Sequence, residues 1–255
     1  MRRIGLLLAP LALLLVLPAA AQQEMAAVGR VFFVKPKAGM QQQYEAAYKK
    51  HLAWHKTQND TWGWFTWEYE TGDRIGQYVT ATFGHSWADF DAHAKMDEAD
   101  NADYQATVGA LVESLSGIIV AGLPNLSNPP AGATGPLPLA TVYTFHLNFG
   151  HDREWANALN KITQALKKAN WGGAFEWYVL VNGAEHPTYY LVLPRTNWAG
   201  FAPPPKPFPV VLEEAVGRTE AESVMRTLDK ALHCERSELI RLRPDLSYTP
   251  PPPAR

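Results

Sequence analysis

Residues 31–44 read VFFVKPKAGMQQQY and residues 142–155 read VYTFHLNFGHDREW. Val31, Lys35, Gly39 and Tyr44 fall on Val142, His146, Gly150 and Trp155 at a constant offset of 111 residues. The same offset carries Tyr78 to Tyr189, Trp87 to Trp198 and Phe90 to Phe201. With a small gap, Trp62-Gly63 matches Trp171-Gly172, and the run Pro124 to Ser127 reappears as Pro244 to Ser247. Self-similarity at one fixed spacing is the mark of a repeated structural unit. The reading divides the chain into a signal peptide (1–21), an N-terminal unit (22–123), a linker rich in proline and glycine (124–138), a C-terminal unit (139–248) and a disordered tail (249–255).

Within the first unit, Gly29 to Pro36 is rich in valine and phenylalanine and predicts a strand, after which the spacing from Gly39 to Asn59 turns helical. Trp62 to Glu70 and Gly76 to Phe83 are aromatic and β-branched runs around Thr71-Gly-Asp73, which predicts a hairpin. A short helix at Trp87 to Ala94, a second at Tyr104 to Leu115 and a strand at Ile118 to Ala121 complete the unit. The C-terminal unit repeats the order through Leu139–Phe149, Arg153–Ala169, Phe175–Val181, Thr188–Leu193, Glu213–His233 and Leu239–Leu242, with a proline-rich insertion at Phe201–Pro209. The order β-α-β-β-α-β is ferredoxin-like, so the fold class is α+β, with two tandem units. The first strand is apolar on both sides, Phe32 and Val34 on one and Val31 and Phe33 on the other. Helices cover one face. The sister unit's sheet is expected to cover the other, giving an intramolecular α-β barrel.

The first residues carry a processing signal: Arg2 and Arg3, an apolar run from Ile4 to Leu17, and Ala19 to Ala21 as a cleavage site. The run is shorter than the ~20 residues that span a bilayer. The expected product is a periplasmic or secreted protein with no membrane contact after cleavage. Formal charge is −2 for the whole chain, and no basic patch invites nucleic acid. Cys234 is the single cysteine, which excludes an internal disulfide and a multi-cysteine metal site. Pairing within one chain removes the need for a second, so a monomer or weak homo-oligomer is expected.

The strand and helix order, a glycine opening the first helix, and Trp87, Phe90 and His93 after the third strand resemble the dimeric α-β barrel superfamily, nearest in pattern to the antibiotic biosynthesis monooxygenase-like and NIPSNAP-like domains. The resemblance spans most of each unit through loose structural motifs. It implies an activity drawn from a broad set: cofactor-free oxygenases, isomerases, haem proteins such as the chlorite dismutase group, and domains without activity. Fold alone does not choose among them.

The repeat supplies an internal control. Trp155, Leu159, Ile162 and Leu166 recur at helical spacing as an apolar stripe, and their counterparts are Tyr44, Tyr48, His51 and His55. Two core positions of one unit are histidines in the other. His93 likewise corresponds to Pro204. Polar character is thus concentrated in the N-terminal unit, where His51 and His55 are the candidate acid/base residues, one helical turn apart. Tyr44, Tyr48, Trp54, Trp64, Trp67, Glu68, Tyr78 and His93 are the candidate ligand contacts, able to hold a small, partly aromatic molecule. Equally, both histidines fit a satisfied core, bonded to a carbonyl or to a tyrosine. No cofactor and no metal ligand set is assigned. His51-Leu-Ala-Trp-His55 departs from the zinc-protease pattern, and a metal would need a third ligand such as Glu68 or His93. Haem through one of these histidines, or through His146 or His233, rests on the resemblance alone. Asp97, Glu98, Asp100 and Asp103 read as a solvated helix start. The rival functions are therefore ligand binding, a cofactor-independent monooxygenase or isomerase, and a non-catalytic envelope or interaction domain.

Overall fold

The computed structural model describes residues 27–251; residues 1–26, which contain the expected signal peptide, and 252–255, most of the expected tail, lie outside that range. The described chain runs β1 (Val28–Pro36), α1 (Gln41–Thr57), β2 (Phe65–Tyr69), β3 (Tyr78–His85), α2 (Trp87–Thr107), β4 (Val112–Gly122), β5 (Leu139–Leu147), α3 (Asp152–Lys168), β6 (Glu176–Asn182), β7 (Thr188–Arg195), α4 (Phe208–Val216), α5 (Arg218–Ala231) and β8 (Leu232–Leu242). Every strand pairing is antiparallel, and the eight strands close in the order β1-β3-β2-β8-β5-β7-β6-β4. Two ladders join the halves: β2 to β8, with Trp67 opposite Leu242, and β4 to β6, with Val120 opposite Leu180. Closure removes sheet edges that would otherwise pair with other chains.

Strand alternation sorts the side chains into two layers. Val31 and Phe33 point into the barrel with Trp67, Tyr69, Val79 and Ile118. Phe32 and Val34 point outward, under α1 and α2, among Tyr44, Tyr48, Trp64 and Tyr78. The barrel is not solid: it encloses an apolar cavity of about 410 Å³, flanked by linker residues Pro129 to Leu137. At one side Glu238, buried on β8, accepts from Arg74 Nε at 2.7 Å across the β2–β8 seam. Gly72 makes that contact feasible, because its φ of +83° turns the hairpin tip and any Cβ there would press on Glu238.

Helix α2 corrects the sequence reading. It is one helix from Trp87 to Thr107, not a short one followed by a longer one, and residues 112–115 belong to β4 rather than to a helix. Ser86 starts it with a reciprocal capping box, accepting from the Asp89 amide while Asp89 accepts from its own. Its inward stripe is His93, Asp97, Asp100 and Tyr104, spaced four, three and four. A polar stripe gives no hydrophobic period, so the helix looked broken where it is continuous. In the C-terminal half, the region expected as one helix over Glu213–His233 is two, α4 and α5, meeting at Gly217 with φ +83°. Strand β8 starts at Leu232, where a helix end and a loop were expected.

Candidate functional site

Under α1 and α2, against β1 and β3, lies a second cavity of about 260 Å³. Its walls include Phe32, Tyr48, His51, His55, Trp64, Asp100 and Tyr104. The matching space under α3 is filled, with Trp155, Leu159 and Leu166 packed on Trp177 and Tyr189. The stripe on α1 therefore faces a hollow, while its counterpart faces solid core.

The organising group is Asp60, 1% exposed, in the loop after α1. Its Oδ2 accepts from His55 Nδ1 at 2.8 Å and from Trp64 Nε1 at 3.1 Å; its Oδ1 accepts from His93 Nε2 at 2.8 Å and from the Trp62 amide at 2.9 Å. Burial works against the charge, yet these four donors hold the carboxyl well below the ordinary aspartate range. An ionised carboxylate only accepts, so the contacting nitrogens of His55 and His93 both carry protons. His93 Nδ1 also meets Asp97 Oδ1 at 2.8 Å, and Arg30 meets Asp97 Oδ2 at 2.9 Å. Although burial disfavours its charge, the Asp60 and Asp97 carboxylates raise His93 to about 9, so it is an imidazolium at neutral pH.

His51 is held the same way, with Nδ1 at 2.7 Å from Asp103 Oδ2. The Nε2 atoms of His51 and His55 then face each other at 3.3 Å. Asp100 Oδ1 lies 3.0 Å from the first and 3.3 Å from the second, yet no ring N–H is directed at it and this buried oxygen accepts no hydrogen bond. Burial opposes charge on His55, but Asp100 and Asp60 outweigh it and lift its pKa to about 9. The two imidazoles hold Asp100 down at about 2 against its own burial.

The acidic cluster is therefore not a solvated helix start: the helix begins ten residues before Asp97, and Asp97, Asp100 and Asp103 are the partners of His93, His51 and His55. Of the residues named from sequence, His51, His55, Tyr48 and Trp64 line the cavity. Trp54 does not line it but stacks on His51, with ring centroids 6.0 Å apart. His93 is tied to the cavity through Asp60 and stacks on Trp62 at 4.0 Å. Tyr44 is core, stacked between Tyr48 and Tyr78. Tyr78 and Glu68 sit elsewhere: Tyr78 donates to Glu45 at 2.6 Å, and Glu68 pairs with Arg243 at 2.8 Å. Trp67 points into the barrel.

Sequence reasoning missed Asp60, the α2 carboxylates, Tyr104 and Tyr248. The α2 residues carried a signal, their helical spacing. Tyr248 carried none: it arrives from the far end of the chain through a bridge to Trp64, donates to the Asp60 carbonyl at 2.8 Å, and stacks on His55 at 5.7 Å. The two Nε2 atoms are turned on each other and on Asp100, so neither stands alone as an axial ligand for haem, and His146 is taken up by Thr188 at 2.9 Å. Haem does not fit these residues.

No protein-family profile and no curated protein sequence matches the chain. Solved structures do. A proposed monooxygenase from Lactobacillus acidophilus aligns over 88% of this chain and 96% of its own at 7% identity, with a TM-score of 0.54. One from Fusobacterium nucleatum aligns over 86% and 93% at 12% identity, TM-score 0.57, and an anthrone oxidase-like protein over 87% and 92% at 10% identity, TM-score 0.52. At such identities the likeness is one of fold alone: a mixed α+β architecture built on an antiparallel sheet.

Proposed function

We propose that this chain is an exported protein that binds a small, partly aromatic molecule between α1, α2 and the sheet of its N-terminal half. It is read as two diverged copies of one ferredoxin-like module, the second retained as scaffold and the first hollowed into a site. The offset of 111 residues between β1 and β5 and between α1 and α3 supports the duplication. The observation that carries the function is the contrast at matched positions: His51 and His55 line a cavity where Ile162 and Leu166 pack into core. The aromatic walls offer flat apolar contact, and the imidazoles a polar end. At about 260 Å³ the space suits a ligand of one or two rings.

A second reading is favoured by the histidine pair itself. Facing Nε2 atoms, each ring held from behind by a carboxylate, share a proton that can be given to or taken from a ligand, which is general acid/base work. The solved monooxygenase-like neighbours lend a cofactor-independent monooxygenase or isomerase some support by fold analogy only.

Native mass spectrometry on the mature chain tests the proposal. The expected mass is that of a monomer starting near Gln22 with an organic adduct, lost when His51→Ile and His55→Leu are introduced. An adduct-free wild-type chain across extracts from its native compartment would refute ligand binding, and an uncleaved N-terminus would refute export.

A further inference from the structure

We propose that His51 Nε2, His55 Nε2 and Asp100 Oδ1 form a binding site for one first-row divalent cation. The inference rests on the proposed use of this cavity and deepens it.

Three ligand-type atoms converge here: the two Nε2 atoms, in contact at 3.3 Å, and Asp100 Oδ1, a buried oxygen that accepts no hydrogen bond. Asp103 and Asp60 accept from Nδ1 of His51 and His55, so a cation that displaces the Nε2 proton meets both Nε2 lone pairs facing inward. Carboxylates behind histidines in this way are the usual orienting partners of metal-bound imidazole. The three inward atoms stand 3.0, 3.3 and 3.3 Å apart. Bonds of about 2.1 Å to nitrogen and oxygen place neighbouring ligands ~3.0 Å apart at right angles and ~3.4 Å apart at tetrahedral angles. The observed separations fall inside that interval, so the three atoms are spaced to share one cation.

Charge points the same way. Asp60, Asp97, Asp100 and Asp103 face the imidazoles as carboxylates, answered by Arg30 and the His93 imidazolium. A cation on both Nε2 atoms displaces whatever proton they hold, and the carboxylate excess then left, two charges, is what one divalent cation balances. Two imidazoles and one carboxylate on a single face suit zinc or ferrous iron, with the remaining coordination positions open. Those positions face the cavity, whose walls include Phe32, Trp64 and Tyr104. The ligand class becomes a small aromatic or conjugated molecule bearing an anionic oxygen, with the oxygen on the cation and the ring against the aromatic wall. A cation also occupies the lone pairs that proton transfer would use, so it excludes the acid/base reading of the same pair.

The test is metal retention by the full mature chain, stripped with chelator and then loaded with Zn2+ or Co2+ alone. The expected result is one equivalent per chain by elemental mass spectrometry, with a Co2+ visible spectrum of nitrogen and oxygen ligation. Asp100→Asn is expected to lose stoichiometric retention. Asp103→Asn, which only positions His51, is expected to bind 10–100-fold more weakly, by order of magnitude. Both aspartates are about one-fifth exposed, at 21% and 23%, so these variants should keep the native circular dichroism even if the double histidine variant unfolds. Wild type retaining no equivalent, or Asp100→Asn retaining the wild-type amount, would overturn the inference. An organic adduct on a chain that takes up no metal sinks the cation alone; metal uptake without any organic adduct sinks the ligand reading alone.

Discussion

Replacing Asp60 by Asn should destabilise the protein far more than a one-atom change suggests. Each Asp60 oxygen accepts two hydrogen bonds: Oδ1 from the Trp62 amide and His93, Oδ2 from His55 and Trp64. An asparagine keeps one acceptor oxygen and turns an NH2 toward the other pair, so whichever way it flips, two buried donors meet a donor. Losing two hydrogen bonds to a charged group at about 1.5–3 kcal/mol each gives about 3–6 kcal/mol. Breaking a buried ion pair by removing one partner's charge gives a similar figure, about 3–5 kcal/mol. At roughly 2–4 °C per kcal/mol for a chain of this size, the melting temperature should fall by about 6–24 °C. The assay is urea unfolding and thermal melting by circular dichroism at pH 7, with chelator present so that no bound cation adds its own stabilisation. A variant within about 1 kcal/mol of wild type would refute the claim that Asp60 is an ionised, fully bonded centre of the site.

Three further outcomes are expected. His93 has a folded pKa of about 9 against an ordinary 6.5, so its stabilisation is complete below about pH 6.5 and is lost as pH rises through about 9. At 1.36 kcal/mol per unit this is on the order of 3 kcal/mol, and the stability gap between wild type and His93→Gln, measured by urea midpoint across pH 6–10, should shrink accordingly; a constant gap contradicts it. The double variant His51→Ile/His55→Leu, which copies the other half of the barrel, should lose about 3–5 kcal/mol rather than gain from apolar packing, because Asp60, Asp100 and Asp103 lose their partners; equal or greater stability in denaturant would refute this. Arg74→Met should cost roughly 3 kcal/mol by leaving Glu238, 2% exposed, without its cation inside the barrel, and an unchanged denaturation midpoint would show the pair to be dispensable.

Much of the fold was legible because its pattern is local and repeated. Alternation along residues 31–34 separated barrel-facing from helix-facing side chains, and the glycine at 39 marked the turn into α1 with φ +75°. Helix α2 was not legible because its buried face is polar: His93 meets Asp60 of the loop after α1, Asp97 meets Arg30 of β1, and Asp100 meets the two α1 histidines. The site was half legible for the same reason. His51 and His55 stood out against Ile162 and Leu166, whereas Asp60 is a single loop carboxylate whose four donors come from three separate segments. Tyr248 closes over His55 from almost two hundred residues away, a contact that only the closed barrel creates. Trp67 and Glu68 lie apart from this cavity because strand alternation and the β2–β8 seam send one into the barrel and the other to Arg243.

The central claim is that the helix–sheet space of the N-terminal half is an open site for a small aromatic molecule. A crystal soaked with 4-bromophenol and measured at the bromine edge tests it most directly. The expected result is a bromine peak among Tyr48, His51, Trp64 and Tyr104. Bromine only in the barrel interior beside Phe33 and Tyr178, or none at all in a well-soaked crystal, would contradict it.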